Sequence, residues 1–320
     1  MDTKIIKIDP NNIDKGLIAQ AADVIKGGGL VVFPTETVYG LGADTFNSEA
    51  VANIYKAKNR PADNPLISHL CSMEQVYELA SEVPEKALRV MERFWGGPLT
   101  VILKRRANVP AATSAGLDTV SIRFPSHSIA YELIRQSGTP IAAPSANLSG
   151  SPSPTTAKHA IDDMLGRVDM IIDGGDSFIG VESTVVDMTG EVPVVLRPGM
   201  ITAEDIAEVT GACVYGGDFA GAPKCPGMKY THYSPKADVY AVADMNKIHA
   251  DDSAAVLTYG GGGTYNAGDT VEDYAAKLFY YLRKADEDGY KTVYARLPEE
   301  KGIGIAVRNR LLKSAGGKVL

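Results

Sequence analysis

Short apolar runs recur along this chain, and stretches with apolar residues at helical spacing lie between several of them. Residues 30–33, 66–70, 100–103, 120–124, 141–143, 170–173, 184–187 and 194–197 are runs of three to five residues, several rich in Val and Ile, and read as buried strands. Residues 13–26 carry Ile13, Leu17, Ala21, Val24 and Ile25 at helical spacing, and Gly27, Gly28 and Gly29 close that helix. Helical spacing returns at 48–58, 73–80, 84–94 and 128–137. Strands alternating unevenly with helices predict an α/β sheet of mixed direction.

The alternation breaks at residues 211–236, which are rich in Gly and Pro and have no long apolar period, so a linker is expected there. Beyond it, 238–243, 254–259 and 292–295 read as strands, 271–286 and 305–314 as helices, and the four glycines at 260–263 as a turn. This divides the chain into a domain over 1–210, a linker over 211–236 and a small α/β domain over 237–320. The 320 residues, 45% of them hydrophobic, are enough for two cores without staples. Cys71, Cys213 and Cys225 are far apart and odd in number, so neither a disulfide framework nor a structural zinc site is expected, in keeping with a reducing cytoplasm. The first residues lack a basic region followed by an apolar run, and no stretch approaches eighteen apolar residues, so neither a secretory signal nor a membrane span is expected.

Against a formal net charge of −7, the segment KAKNR places Lys56, Lys58 and Arg60 at alternate positions. A knot of positive charge in an acidic protein points to a small anionic ligand, phosphate first. On a helix, Lys56 and Lys58 diverge by about 200°, so all three cations converge only if the helix ends near Lys58 and the chain turns at Asn59 and Pro61. The plainer reading is a solvated helix end whose cations suit the dipole. Around this segment lie PTETVYGLG (34–42), which puts the Thr35 and Thr37 hydroxyls and the Glu36 carboxylate at a strand end with Gly40 and Gly42 allowing tight turns and close backbone approach, then Asn64 and His69, and SIRFP (121–125) with Arg123 in an apolar strand, either at an edge or buried with an anion. APSANLSGSPSP (143–154) suits a phosphate cradle built from backbone N–H groups, or else a Ser/Pro linker. VESTVVD (181–187), Arg197 in LRPG, and the aromatic PGMKYTHYSP (226–235) complete a set of anion binders and hydroxyls with no evident covalent nucleophile. That inventory suits positioning and charge stabilisation of phosphoryl oxygens.

PTETVYGLG, Lys58 and Arg60, RPADNPL, SIRFP, Ser145 and Asn147, ESTVVD and LRPG, in this order, resemble the motifs of the YrdC-like family over about residues 13–200. PGMKYTHYSP and the terminal IGIAVRNRLLKSA resemble its two-domain form. The resemblance implies a YrdC-like twisted, mixed, open sheet with flanking helices, followed by a smaller Rossmann-like α/β C-terminal domain, with the linker covering the active site. It implies a cytoplasmic nucleotidyltransferase that converts L-threonine, bicarbonate (or CO2) and ATP, with Mg2+ carried by the ATP, into threonylcarbamoyl-AMP and pyrophosphate. The product would pass to a tRNA threonylcarbamoyl-transferase complex. Carried over residue by residue, Thr37, His69, Arg123, Ala143 and Ser183 would line the threonine site. Lys56, Lys58 and Arg60 would act on the phosphates, with Asn64, Thr119, Ser145, Asn147, Ser153 and Arg197 around ATP and Tyr230, His232 and Tyr233 on the covering segment. Two rivals remain. One is a YrdC-like module that binds RNA weakly without chemistry, against which the acidic charge counts. The other is a carbamoyl-adenylate enzyme with another substrate, whose relatives carry zinc and acylphosphatase modules absent from this chain.

Overall fold

The computed structural model describes residues 1–216 and 233–320. Twelve strands of the described residues form one sheet: β1 (Lys4–Lys7), β2 (Val31–Phe33), β3 (Gly40–Asp44), β4 (Ile67–His69), β5 (Ala80–Glu82), β6 (Leu99–Arg105), β7 (Thr119–Arg123), β8 (Ile141–Ala143), β9 (Met170–Asp173), β10 (Thr184–Asp187), β11 (Val194–Arg197) and β12 (Val214–Tyr215). Their order is β1-β9-β2-β3-β8-β4-β7-β6-β10-β11-β12, with β5 beside β6. The sheet combines parallel pairs (β4 with β7, β6 with β10) and antiparallel ones (β3 with β8, β6 with β7), so it is mixed, as the sequence predicts. Its helices are α1 (Lys15–Lys26), α2 (Ser48–Lys58), α3 (Glu74–Leu79), α4 (Glu85–Phe94), α5 (Ala111–Ser114), α6 (Ser128–Ser137), α7 (Ala157–Met164) and α8 (Ala203–Thr210).

Both faces of this sheet are covered, which is why strands such as β2 are apolar throughout. In β2, Val31 and Phe33 point into a layer with Ile18 and Ile25 of α1 and Leu133 of α6, while Val32 points the other way, toward Ile54 of α2 and Ala160 of α7. The structure adds β1, β3, β5, α5, α7 and α8 to the expected elements of this half. β3 is the instructive one. Of the tight turns and close approach expected of Gly40 and Gly42, the structure shows the close approach, and both lie within a strand. A Cβ on Gly42 would fall 2.6 Å from Ile141 Cγ2 and 2.8 Å from Phe33 Cε1. Their glycine character answers close packing rather than turning. The stretch expected as linker also meets ordered structure at both ends: β12 continues the sheet to Tyr215, and Tyr233 is buried.

A second sheet contains β13 (Asp238–Val242), β14 (Ala254–Thr258), β15 (Tyr265–Asn266) and β16 (Thr292–Arg296) in the order β13-β16-β14-β15, all parallel. It packs with α9 (Val271–Glu287) and α10 (Gly304–Ser314) around Leu278, Phe279, Leu282, Val293, Val307 and Leu311. Thr270 and Asp273 close a reciprocal capping box at the start of α9, satisfying N–H groups that have no partner within the helix. No helix among the described residues is long and apolar enough to cross a membrane.

The two sheets share one core along a seam. Val38, Ile179 and Val181, from loops of the first sheet, belong to the hydrophobic cluster of the second, together with Tyr233. Arg283 of α9 donates to Asp163 Oδ2 at 2.5 Å and to the Pro152 carbonyl. Gly180 has φ +78°, and a Cβ there would lie 2.4 Å from both Ala275 O and Ala276 Cα of α9. Gly180→Ala therefore meets a left-handed backbone and a helix backbone that cannot yield. It is expected to lower stability by about 2–4 kcal/mol, measured as a drop in the thermal unfolding midpoint relative to Gly211→Ala, where the φ is +84° but nothing lies within 4 Å.

Candidate active site

Strand pairing gathers the first wall of the site. His69 pairs with Arg123, and Ile67 with Ala143, so the side chains of these residues share one face of the sheet. All four line a cleft, together with Thr35 and Tyr39. Arg123 is 4% exposed, and its Nη2 donates to Glu36 Oε1 at 2.6 Å. Arg123 Nε and Glu36 Oε2 are buried without a partner in the protein. The fork of Arg123 thus retains a donor for an incoming anion such as a carboxylate. His69 Nδ1 lies 3.1 Å from the Ile67 carbonyl, and the ring meets Phe33 edge-on. Burial, reinforced by the positive charge of Arg123, pushes its imidazole down to about 3, so it is neutral at physiological pH.

The second wall comes from the end of α2. Asn59 caps this helix in the left-handed conformation (φ 52°, ψ 44°), and the Arg60 amide returns to the Tyr55 carbonyl at 2.9 Å. The turn sends Lys58 and Arg60 into the cleft. Lys56 is not sent there: it is exposed, and its Nζ reaches Asn53 Oδ1 at 3.2 Å. The expected convergence of three cations is therefore one of two, because Lys56 leaves the helix on its solvent side. Lys58 is 1% exposed, and its Nζ donates to the Ser145 carbonyl at 2.5 Å and to the Asn147 carbonyl. Ser145 Oγ in turn donates to Asn147 Oδ1 at 2.5 Å. Burial, with Arg60 nearby, holds the Lys58 amine well below the usual lysine range. Arg60 Nη2 donates to the Asn64 and Pro65 carbonyls at 3.2 and 3.3 Å, and its Nε is buried without a protein partner. Burial pulls its guanidinium down to about 10, which leaves it charged at pH 7.

Arg197 and Glu182 form the third side. Arg197 Nε and Nη2 both donate to the Ser183 carbonyl, at 3.1 and 3.0 Å, and Nη2 also reaches Ser183 Oγ. Glu182 Oε1 accepts from Ser153 Oγ at 2.5 Å, and Oε2 from Arg310 Nε at 2.8 Å. Burial alone would raise the Glu182 carboxyl. Arg310 and Arg197, with the Ser153 hydroxyl, outweigh it and hold the group below the usual carboxylate range.

His69, Arg123, Ala143, Lys58, Arg60, Ser145, Asn147, Arg197 and Tyr233 thus meet at one cleft. Four others stand one shell behind, each bonded to a residue of the wall: Thr37 to Thr35 at 2.9 Å, Asn64 to Arg60, Ser153 to Glu182 and Ser183 to Arg197. Thr119 begins β7, at the opposite end from Arg123, and is half-exposed. Tyr230 and His232 lie outside the described residues. Glu36 is expected at the ligand end of its strand but with no partner named for it, and Glu182 and Arg310 are not among the expected site residues. The signal for the first two was present, since each sits inside a singled-out motif and buried cations need counter-charges. Arg310 is an arginine among the buried positions of α10 with Ala306, Val307, Leu311 and Ser314, a placement that marks a paired charge.

A cation-lined cleft on a twisted mixed sheet, with a second parallel α/β sheet packed along a shared core, defines a YrdC-like protein of the two-part kind. Residues 23–199 match a family model covering Sua5, YciO and YrdC proteins and described as telomere recombination, and residues 201–316 match one described as threonylcarbamoyl-AMP synthase, C-terminal domain. The chain is 46% identical to the threonylcarbamoyl-AMP synthase of Pyrococcus abyssi, with 96% of each chain covered, and 45% identical to that of Bacillus subtilis, with 95% of this chain and 94% of the relative covered. The crystal structure of P. abyssi Sua5 complexed with L-threonine superposes with a TM-score of 0.94 over 99% of both chains, at 44% identity. The chain belongs to the threonylcarbamoyl-AMP synthase family.

Two outcomes follow from the geometry. Asn59→Val, which places a β-branched residue at positive φ, is expected to cost about 1–2 kcal/mol in denaturant unfolding, while Asn59→Gly stays within about 0.5 kcal/mol. For His69, the unfolded imidazole binds a proton near pH 6.5 and the buried one only near 3. Acid therefore favours the unfolded chain. The contribution of His69 is complete above pH 6.5 and is lost progressively as pH falls toward 3. His69→Asn should flatten the fall in unfolding free energy between pH 6 and 5 by up to about 1.4 kcal/mol per pH unit.

Proposed function

We propose that this chain is an L-threonylcarbamoyladenylate synthase, a nucleotidyltransferase that turns L-threonine, bicarbonate or CO2 and ATP into threonylcarbamoyl-AMP and pyrophosphate. The observation that carries this reading is the meeting of Lys58, Arg60, Arg123 and Arg197 in one buried cleft, in a chain that matches named synthases from end to end. Arg123, with its unpartnered Nε, takes the threonine carboxylate, and neutral His69 and Ala143 bound the side chain. Arg60, Lys58 and Arg197 face the triphosphate, with the Ser145 hydroxyl beside them.

The reaction brings two anions together. The threonine amine adds to CO2 and gives a carbamate, whose oxygen attacks the α-phosphorus as pyrophosphate leaves. One unit charge pair at 4 Å is worth about 4 kcal/mol at an effective dielectric near 20, so several cations are needed to offset the repulsion. Lys58 is engaged by the loop at Ser145 and Asn147, so it both supplies charge and fixes that loop. The carboxylates Glu36 and Glu182 are each held by an arginine. Mg2+ is read as arriving on the nucleotide, where it would neutralise phosphate charge. The product, a labile mixed anhydride, is handed to a tRNA threonylcarbamoyl-transferase complex. Tyr233, buried against the second sheet, lines the cleft; residues 217–232 of the segment expected to cover the site lie outside the described residues. A cytoplasmic setting suits these substrates. The RNA-binding module without chemistry gains no support from the relatives, whose names are those of a synthase.

Pyrophosphate release measured with each substrate omitted in turn tests the reading. Release should require threonine, bicarbonate and ATP together, and release indifferent to threonine would overturn it. Arg60→Ala should lower kcat/KM by about a hundredfold or more. Arg123→Ala should raise the KM for threonine by about tenfold or more while that for ATP moves by less than about threefold. Equal losses for both substrates would make Arg123 structural.

A further inference from the structure

We infer that Arg310, carried by α10 of the second sheet, is a positioning residue of the nucleotide cleft: it holds Glu182 as a neutralised pair and seats Tyr233, so that a carboxylate can stand in the wall of a polyanion site. The inference rests on reading that cleft as the ATP site.

Glu182 lines the cleft and is 6% exposed. An uncompensated carboxylate there would repel the phosphates in a region of low dielectric, where charge interactions are strong. Both its oxygens are turned to partners, one toward Ser153 Oγ and one toward Arg310 Nε. Arg310 is fully buried, and its Nη1 donates to the Pro198 carbonyl and to Asn309 Oδ1, both at 3.0 Å. The Pro198 contact fixes the guanidinium to the turn that follows Arg197. The same guanidinium lies 5.6 Å from the centroid of the Tyr233 ring, within cation–π range. Tyr233 is stacked on Phe279 of α9 at 5.2 Å, and its carbonyl accepts from Ser314 Oγ of α10 at 2.9 Å. One side chain of the second half thus touches two residues of the cleft that arrive on different segments of the chain.

Core stability alone does not account for this arginine. A buried ion pair rarely gains over apolar residues of similar volume, and Val307 and Leu311, its neighbours on α10, show that the surroundings accept an aliphatic side chain. What the pair does provide is charge balance where the anionic ligand sits. The second half then contributes to the electrostatics of the site.

The test is equilibrium binding of ATP and, separately, of L-threonine to the full chain by calorimetry. Arg310→Met should weaken ATP by about tenfold or more and threonine by less than about threefold. Adding Glu182→Gln to it should return ATP affinity to within about threefold of wild type, because no charge is then left buried alone. Glu182→Gln by itself, nearly isosteric and expected to fold, should tighten ATP by about two- to fivefold, with the gain shrinking as salt is added. A folded Arg310→Met with unchanged ATP affinity, equal losses for ATP and threonine, or no recovery in the double variant would overturn the inference. If Arg310→Met does not fold, weakened ATP binding by Glu182→Gln overturns it on its own. Wild-type protein that binds neither ATP nor threonine would remove the underlying reading and this inference with it. Wild-type protein that binds both, beside Arg310 variants that change nothing, removes the inference alone.

Discussion

Burying positive charge is costly unless each cation is given partners, and the architecture of this protein is organised around that constraint. Lys58, Arg60, Arg123, Arg197 and Arg310 all enter one region, where Glu36 pairs with Arg123 and Glu182 with Arg310. Backbone carbonyls supply much of the remaining compensation. Lys58 is met by the carbonyls of residues 145 and 147, Arg60 by those of 64 and 65, Arg197 by that of 183 and Arg310 by that of 198. Carbonyls stabilise a cation without cancelling its charge, so the cleft stays positive and suited to an anion. These carbonyls come from short loops that flank the strands.

The second sheet is bound to the same constraint. Its core includes Val38 and Val181, which neighbour the motifs carrying Thr37 and Glu182, so packing of the second half sets the position of the first half's loops. Arg283 ties α9 to Asp163 and Pro152, and Gly180 lets the same helix approach at backbone distance. A shift of the second half would therefore move the walls of the cleft.

Much of this was legible in the chain. The strands at 30–33, 120–124 and 141–143 were visible because their apolar runs are buried on both faces, and the helix over 48–58 because its apolar positions repeat at helical spacing. β3 was hidden by its glycines, which look like turn formers until Phe33 and Ile141 are seen pressing on them. α7 and α8 were hidden by their brevity. Among site residues, the pattern at Lys58 and Arg60 was readable, including the need for a turn at Asn59. That Lys56 would leave the group was not, since a sequence shows the angle between side chains and not which of them the core will claim.

The residues themselves determined the family, the mixed α/β architecture and the cationic, hydroxyl-rich character of the site, because apolar periodicity and motif order are local properties of the chain. The tertiary structure alone decided which charges oppose one another. Arg123 lies 87 positions from Glu36 and Arg310 lies 128 from Glu182, and no local rule joins groups so far apart. Their pairing follows from strand order and from the docking of the second sheet. Those long-range choices determine the net charge of the cleft, and with it the kind of ligand the cleft is built to hold.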